Sequence, residues 1–286
     1  MAVIASWRSQ ILGISVHKTW STGQLSQELI ALWRTGGQAE PFSRRFAQFD
    51  LHDAYDVVAE VARLRRELGE RTVGRKIGFT NRSIWGQLGI AAPIWNFIYD
   101  TTVSEAVAHP SINLDGMPEP RIEPEMVLHL ASAPVPGMST ADLLECVDWV
   151  APAFEIVFSI FPNWKFTAAD AAAAYGVHGA LILGERFHLT GSQPQGDDQL
   201  HSFTVELESQ AGDLRQGRAT DVLGGPLQAL KFLTEEIGHR PECEPLHPGE
   251  LITTGTLTEA MPVRSRDVWT ARFGGIPVSP VKLSIE

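Results

Sequence analysis

Apolar residues recur at helical spacing in the first third of the chain. After Ser21 they stand three and four positions apart until Gly36, where the run ends; this spacing and these boundary residues are typical of an amphipathic helix. A second run of the same kind begins after Asp50, which can cap a helix, and continues to about Leu68. We therefore expect two helices that form an N-terminal helical subdomain over residues 1–72.

From Val73 onward the pattern changes to short β-like runs separated by glycine and proline. The expected strands cover residues 73–80, 121–130, 153–161, 179–184, 201–209, 250–254, 267–273 and 277–285. Two helices are expected among them, over residues 139–149 and 226–237. Because the strands do not alternate regularly with helices, they favour an α+β fold with a mixed, curled β-sheet over residues 73–286. The sequence contains no phosphate-binding glycine motif, so it does not support a nucleotide cofactor.

Charge and composition narrow the function classes. The 286 residues include 34 acidic and 23 basic ones, and the net charge of −11 would repel the phosphates of a nucleic acid. The two cysteines, Cys146 and Cys243, have no metal-finger or C-x-x-C spacing, which is typical of a reducing cytoplasm. No stretch approaches the ~18 apolar residues that span a bilayer. We therefore expect a cytoplasmic globular protein without nucleic acid or membrane partners.

The most informative polar residues are Glu123 and Glu125, which lie two positions apart in a strand-like run and so point to the same face. Glu155 is the one charged residue among apolar neighbours from Trp149 to Phe161. A buried carboxylate needs a proton, a cationic partner or a metal ion. Three carboxylates without histidine or cysteine form an all-oxygen site, which suits Mg²⁺ or Mn²⁺. The alternatives are a solvated edge strand for the first two glutamates and a solvent-facing edge or an arginine ion pair for Glu155.

Lys76 is a candidate for substrate binding and proton transfer. It lies between Gly74 and Gly78 in one strand, and the missing side chains would leave room for a ligand beside the ammonium group. Near a metal site, a lysine can pair with a substrate carboxylate or move protons. Without the glutamates, the alternative is a solvated surface lysine.

These segments stand in an order that resembles a known family. The matching blocks are Gly-Arg-Lys-Ile-Gly-Phe-Thr (74–80), Gln-Leu-Gly-Ile (87–90) with Pro93, Arg-Ile-Glu-Pro-Glu (121–125), Phe-Glu-Ile-Val (154–157), Asn-Trp-Lys-Phe (163–166), Leu-Gly-Gly-Pro-Leu (223–227) and Pro-Gly-Glu-Leu-Ile-Thr-Thr-Gly-Thr (248–256). Over roughly residues 50–286, the chain resembles the 2-keto-4-pentenoate hydratase and 4-oxalocrotonate decarboxylase group of the fumarylacetoacetate hydrolase (FAH) superfamily.

The resemblance implies an FAH-like core, in which the mixed sheet curls into a β-roll or barrel. It also implies that Glu123, Glu125 and Glu155 bind one Mg²⁺ or Mn²⁺ ion and that Lys76 is the active-site lysine. Lys76 and Glu125 are then expected to be catalytic, with Lys76 also binding substrate. A cation held by three carboxylates keeps about three octahedral positions for a bidentate 2-oxo acid and water.

The resemblance further implies a divalent-metal-dependent lyase, active as a homo-oligomer in the catabolism of aromatic compounds. The expected substrate is a small 2-oxo acid or its enol, a 2-hydroxydienoate, and the expected reaction is hydratase-like. Decarboxylation and hydrolysis of a C–C bond stay open as alternatives, because the same metal chemistry serves all three reactions. The alternative from another class is a non-catalytic metal-binding subunit that stabilises a catalytic partner.

Two segments depart from the family pattern and remove candidate water-handling groups. Ala174 to Val177 stand where a motif with asparagine and serine is usual, and Ile94 stands where hydratases usually carry an acidic residue. Trp95 and Tyr175 suggest a more aromatic substrate-binding pocket. His178 would replace a lost proton-transfer group as a catalytic residue. The alternatives are core aromatic residues and a hydrogen-bonded strand histidine.

Overall fold

The chain folds into helices followed by a β-rich region, in a computed structural model that describes residues 18–82, 85–88, 92–106, 110–189, 195–240 and 243–286. The described helices are α1 (Thr22–Thr35), α2 (Phe42–Arg45), α3 (Leu51–Glu67), α4 (Trp85–Leu88), α5 (Thr140–Glu145), α6 (Ala168–Ala173), α7 (Gln195–Ser202) and α8 (Pro226–Gly238). The described strands are β1 (Thr72–Gly78), β2 (Ile94–Tyr99), β3 (Val103–Glu105), β4 (Ser111–Ile112), β5 (Arg121–Leu130), β6 (Val147–Val157), β7 (His178–Leu183), β8 (Phe187–His188), β9 (Thr204–Ser209), β10 (Leu214–Arg218), β11 (Leu251–Thr253), β12 (Met261–Pro262), β13 (Val268–Gly274) and β14 (Val281–Ile285).

The strands form two sheets. Within the described residues, the larger sheet has nine strands, with β2-β1-β11-β5-β6-β7-β3 as its main path and β12 and β8 paired to β5 and β6. The smaller sheet has five, in the order β10-β9-β13-β14-β4. In the larger sheet β1 pairs with β11 and β3 with β7 in parallel, while β5 and β6 are antiparallel. The sheet is therefore mixed, as the sequence predicts.

Local signals start the two long N-terminal helices at the predicted positions. The Ser21 hydroxyl accepts a hydrogen bond from the Gln24 backbone N–H at 3.2 Å. The Asp50 carboxylate accepts hydrogen bonds from the N–H groups of His52 and Asp53, at 2.9 and 3.0 Å. These bonds satisfy N–H groups that the first helical turn leaves unpaired.

The N-terminal helices pack on the main apolar core of the molecule. Leu29 of α1 and Val57 of α3 are fully buried in the same apolar cluster as Phe154 and Ile156 of β6. None of the described helices has the length and apolar character needed to cross a membrane. The boundary of the helical subdomain at residue 72 stays a prediction.

The antiparallel ladder between β5 and β6 separates two environments. It runs from Arg121 opposite Val157 to Leu130 opposite Val147. Because side chains alternate along a strand, Ile122 and Met126 of β5 point into the main core. Glu123, Glu125 and Glu155 point to the other side, which we call the glutamate face.

Some elements differ from the prediction. β6 begins at Val147 rather than at residue 153, and the helix expected over residues 139–149 ends at Glu145. The segment between them is apolar except for Asp148 and fits a buried helix or a buried strand equally well, so its pattern does not mark the change. The unpredicted strand β2 is buried at all six positions, so it lacks the alternation that reveals a half-buried strand. Residues 1–17 and part of the matched block at 87–90, residues 89–90, lie outside the described residues.

Candidate metal centre and active site

Glu123 and Glu125 on β5 and Glu155 on β6 converge on one point of the larger sheet. Glu123 stands directly opposite Glu155 in the ladder, and Glu125 lies two residues further along the same face. One carboxylate oxygen of each residue lies within 4.8 Å of those of the other two. Glu125 and Glu155 are fully buried, whereas Glu123 is partly exposed. The structure therefore brings the three predicted metal ligands together.

Glu125 leaves one buried oxygen without a partner. Its Oε2 accepts a hydrogen bond from the backbone N–H of Gly255 at 2.9 Å, but its Oε1 has no hydrogen-bond partner among the described residues. An unsatisfied buried carboxylate oxygen is unfavourable, and a cation beside it would remove that cost. The set of three carboxylates matches the oxygen ligands that Mg²⁺ and Mn²⁺ prefer.

Lys76 on β1 contacts the same cluster. Its Nζ donates a hydrogen bond to Oε2 of Glu155 at 3.1 Å, and its side chain is 3% exposed. The glycine spacing predicts room for a ligand on both sides of Lys76, but this is wrong for Gly74. A Cβ atom there would meet the carbonyl oxygen of Leu251 at 2.0 Å, so this glycine allows β11 to approach β1 closely.

His178, at the start of β7, contacts the other oxygen of Glu155. Its Nδ1 lies 2.7 Å from Glu155 Oε1, and its Nε2 lies 2.8 Å from the hydroxyl of Thr102. Burial lowers the pKa of His178, although the hydrogen bond to Glu155 opposes that shift. The ring is therefore neutral at pH 7, with Nδ1–H donating to Glu155. Both ring nitrogens contact protein groups, and through its contact with Glu155 the ring positions that carboxylate. The proton transfer predicted for His178 would need a ring nitrogen that faces the substrate.

The charges of the cluster are unbalanced. Burial and the charge of Glu155 raise the pKa of Glu123, and the charge of Lys76 lowers it; the net result is a rise to about 7. Burial and the charge of Glu155 raise the pKa of Glu125 well above its ordinary value. Burial also raises the pKa of Glu155, but Lys76 and His178 outweigh it and bring the value to about 2. Lys76 thus forms an ion pair with Glu155, whereas Glu123 and Glu125 form no ion pair within the described residues, although the charges of Lys76 and Arg121 lower the pKa of Glu123.

Trp95 and Tyr175 lie in the main core rather than among the carboxylates. Trp95 points to the side of β2 opposite Asn96, which pairs with Lys76, and its ring stacks on Tyr55 at a centroid distance of 5.1 Å. The ring of Tyr175 is buried against Trp33 at 4.5 Å. No contact with the glutamates therefore supports the predicted role of Trp95 and Tyr175 in substrate binding.

The segments that depart from the family pattern take part in the architecture of the site. Ile94 is fully buried at the start of β2. Tyr175 to Val177 form a left-handed turn with φ angles of 58°, 60° and 60°. A Cβ atom on Gly176 would lie 3.5 Å from Cδ of Lys76, so the turn packs on the stem of the lysine. The same turn leads directly into His178 and places it beside Glu155.

Two further residues of the site are not identified by the sequence reasoning. Gly255 adopts a φ of +98°, and a Cβ atom on it would meet the Thr80 hydroxyl at 1.9 Å. Only glycine fits there, and the glycine of the block at 248–256 is the signal for it. Thr102 carries no signal, because its contact with His178 depends on the parallel pairing of β3 with β7.

Comparisons with known proteins agree with this geometry. A family model described as "Fumarylacetoacetate (FAA) hydrolase C-terminal" matches residues 97–281. The chain is 28% identical over 242 residues to a 2-hydroxyhexa-2,4-dienoate hydratase of Comamonas testosteroni, covering 84% of this chain and 89% of the relative. It is also 28% identical over 234 residues to a 4-oxalocrotonate decarboxylase of Pseudomonas putida, covering 81% of this chain and 84% of the relative.

The overall fold also matches a solved structure. The 4-oxalocrotonate decarboxylase from Pseudomonas putida G7, complexed with magnesium and adipate, superposes with a TM-score of 0.85 at 24% sequence identity. The match covers 94% of this chain and 100% of the decarboxylase chain. The predicted α+β fold with an FAH-like curled sheet is thereby confirmed.

Proposed function

We propose, from the premise that the chain belongs to the fumarylacetoacetate (FAA) hydrolase family, that it is a divalent-metal-dependent lyase acting on a 2-oxo acid or its enol. The proposed reaction is the addition of water to a 2-hydroxydienoate, in the catabolism of aromatic compounds. The relatives named as a hydratase and a decarboxylase support this class of reaction.

The observation that carries the proposal is the unpaired, buried Oε1 of Glu125 within a cluster of three carboxylates. Glu123, Glu125 and Glu155 would hold Mg²⁺ or Mn²⁺, whose preferred ligands are oxygen atoms. When bound, the cation would supply Lewis acidity that withdraws electron density from a 2-oxo group. A binding site of this kind also explains why so much negative charge is buried in one place.

In this proposal Lys76 holds and delivers a proton. Burial lowers its pKa, but Glu155, Glu123 and Glu125 together raise the pKa above the ordinary value. Nζ therefore keeps its proton, which it can donate to a carbon or oxygen atom of a substrate next to Glu155. The same charge attracts the carboxylate of a 2-oxo acid into a pocket that is otherwise acidic.

Decarboxylation of a 2-oxo acid is the second candidate reaction. The decarboxylase relative matches at the same 28% identity as the hydratase relative, so similarity does not favour either outcome. Both reactions develop negative charge on the 2-oxo oxygen. A divalent cation held by the glutamate cluster, together with Lys76, would stabilise that charge in either reaction, and the reaction outcome depends on the groups around the rest of the substrate.

Turnover by the purified protein tests the proposal. With Mg²⁺ and 2-hydroxypenta-2,4-dienoate, we expect the dienoate absorbance to disappear and a 4-hydroxy-2-oxo acid to appear by NMR. Release of CO₂ from 4-oxalocrotonate would identify decarboxylation instead. EDTA should abolish the activity and added Mg²⁺ or Mn²⁺ should restore it. Absence of turnover with both substrates and both metals would overturn the proposal and favour a non-catalytic metal-binding subunit.

We also propose that the protein is a homo-oligomer. The strands β10 and β4 end the smaller sheet, and unpaired sheet edges are usually covered by another element or chain. Light scattering after size exclusion should give a multiple of the 31.4 kDa chain mass. The mass of a single chain would contradict this proposal.

A further inference from the structure

A cavity of about 600 Å³ lies between the N-terminal helices α1 and α3 and the strands β3 and β7. Four of its wall residues, Trp33, Ile112, Met117 and Ala180, belong to the main apolar core or pack against it. These walls therefore lie on the main-core side of the larger sheet, away from the glutamate face. Cavities of this volume are typical of binding sites for small organic ligands.

Two arginines give the cavity wall its positive charge. Arg65 lines the cavity and is 2% exposed; its Nε donates to Oε2 of Glu70 at 3.0 Å, whereas its Nη1 has no hydrogen-bond partner among the described residues. Arg34 also lines the cavity, is exposed and forms no ion pair within the described residues. Since Glu70 balances the charge of Arg65, one net positive charge is left. A buried donor without a partner is unfavourable, and a singly charged anion would supply both the acceptor and the counter-charge.

The remaining wall is largely apolar, which decides what kind of anion fits. The side chains of Trp33, Leu68, Ile112 and Met117 line the cavity, and Leu68 is 51% exposed. Burying these groups against an apolar ligand is favourable, and an indole ring packs well against another aromatic ring. Phosphate or sulfate would leave the apolar wall without a partner, and its second negative charge would be repelled by Glu70. The wall therefore matches a small aromatic acid with one carboxylate.

Thr102 connects the cavity to the glutamate cluster. It lines the cavity, and its hydroxyl lies 2.8 Å from Nε2 of His178, whose Nδ1 lies 2.7 Å from Oε1 of Glu155. Gly179 and Ala180, the residues that follow His178 in β7, line the cavity as well. A ligand that moves β3 or the start of β7 would therefore move the histidine that positions Glu155.

We propose that this cavity binds a small aromatic monocarboxylate and that the bound acid changes the metal affinity of the glutamate cluster. Binding of the acid needs only the groups of the cavity, whereas the change in metal affinity rests on the proposed function. The effect is reciprocal by linkage: a bound metal ion changes the affinity for the acid by the same factor as the acid changes the affinity for the metal.

Calorimetry with benzoate in EDTA tests binding while no metal is held at the glutamates. We expect the wild-type protein to bind one benzoate per chain with a Kd of about 1 mM or lower. Benzyl alcohol, which lacks the charge, and inorganic phosphate, which lacks the ring, should bind at least about tenfold more weakly. Phosphate that binds as tightly as benzoate would overturn the assignment of an aromatic acid.

Three variants locate the bound acid. Arg34→Gln should weaken benzoate binding by about tenfold, and Ser104→Phe, which places a ring in the cavity from an exposed strand position, should abolish it. Arg44→Gln, at another exposed arginine, is the matched control and should bind benzoate as the wild type does. Absence of benzoate binding, or equal binding by the wild type, Arg34→Gln and Ser104→Phe, would overturn the site.

The effect on the metal centre has its own measurement. The Mn²⁺ affinity, read by electron paramagnetic resonance, should change by about fivefold or more when saturating benzoate is added to the wild type or to Arg44→Gln. It should not change in Ser104→Phe, which excludes benzoate bound to the ion itself. An unchanged Mn²⁺ affinity in the wild type with benzoate bound would overturn the proposed coupling and leave the proposed function intact. Protein that binds benzoate in EDTA but never binds Mn²⁺ would overturn the proposed function and not the cavity site.

Discussion

Glu123 and Glu155 stand directly opposite each other across the ladder between β5 and β6. Two ionised carboxylates in such a pair repel each other. Lys76 and His178 contact Glu155, while no donor to the Glu123 carboxylate is present among the described residues. The pair is therefore stable in the ionised form when an additional cation lies beside it.

The cluster should make the metal-free protein less stable as the pH rises. Burial and neighbouring charge raise the pKa values of Glu123, to about 7, and of Glu125 in the folded protein. The folded state then binds more protons than the unfolded state above the ordinary value of 4.5, so the free energy of unfolding falls between about pH 4.5 and 7. Thermal unfolding in EDTA from pH 5 to pH 8 measures this decline.

Two variations identify the source of that decline. Glu125→Gln should flatten it, and saturating Mg²⁺ should stabilise the wild-type protein most at high pH, because the metal competes with protons for the carboxylates. Glu155 contributes with the opposite sign: its pKa is lowered to about 2, so its contribution is lost as the pH falls from about 4.5. An unfolding temperature in EDTA that stays constant or rises from pH 5 to pH 8 would contradict this explanation.

Lys76→Met should remove catalysis while preserving metal binding. The substitution deletes the proton on Nζ, and loss of a general acid typically lowers kcat by about 10²- to 10⁴-fold. Affinity for Mn²⁺ should stay the same or rise, because a positive charge 3.1 Å from Glu155 has been removed. Lys282→Met, on an exposed strand position, is the matched control and should behave as wild type. Full activity of Lys76→Met would exclude the proposed role.

His178 is expected to act through Glu155. His178→Ala should weaken Mg²⁺ binding by about 10- to 100-fold, the usual effect of losing a group that orients a metal ligand. His178→Asn keeps a donor near the position of Nδ1 and should recover part of that affinity. Calorimetric titration with Mg²⁺ measures both effects. A large fall in kcat at saturating metal, with unchanged Mg²⁺ affinity, would instead indicate direct proton transfer by His178.

Gly255→Ala should weaken both the fold and the metal site. A Cβ atom at φ +98° would also collide with the Thr80 hydroxyl at 1.9 Å, and the backbone shift would move the N–H that binds Glu125. We expect a destabilisation on the order of 2–4 kcal/mol by chemical denaturation. Gly212→Ala is the matched control, since Gly212 has φ +97° and open space around it; it should cost about 1 kcal/mol. Equal effects of the two variants would show that steric contact at Gly255 is unimportant.

The elements that the sequence predicts well are those with strong local signals. The capped helix from Asp50 and the alternating strand that carries Glu123 and Glu125 lie where the pattern places them. β2, which is buried at every position, and the start of β6, which is buried at every position except Asp148, are missed because such runs do not reveal their secondary structure. Their identity depends on pairing with distant strands, which no local pattern encodes.

The same distinction applies to the site. Glu123 and Glu125 share a face by strand geometry alone, and Glu155 is conspicuous as a charge in an apolar segment. The face of β2 on which Trp95 lies could not be predicted, because it depends on the register between β2 and β1. The contacts of His178 could not be predicted either, because its two partners come from different parts of the chain.

Binding of Mn²⁺ tests the central claim most directly, because electron paramagnetic resonance counts the free ion. The wild-type protein should bind one Mn²⁺ per chain, and Glu125→Gln should bind it at least about tenfold more weakly. The control variant Glu145→Gln, at an exposed position of α5, should bind Mn²⁺ as the wild type does. Wild-type protein that binds no Mn²⁺, or a Glu125→Gln variant that binds it equally well, would contradict the assignment of the three glutamates as a metal site.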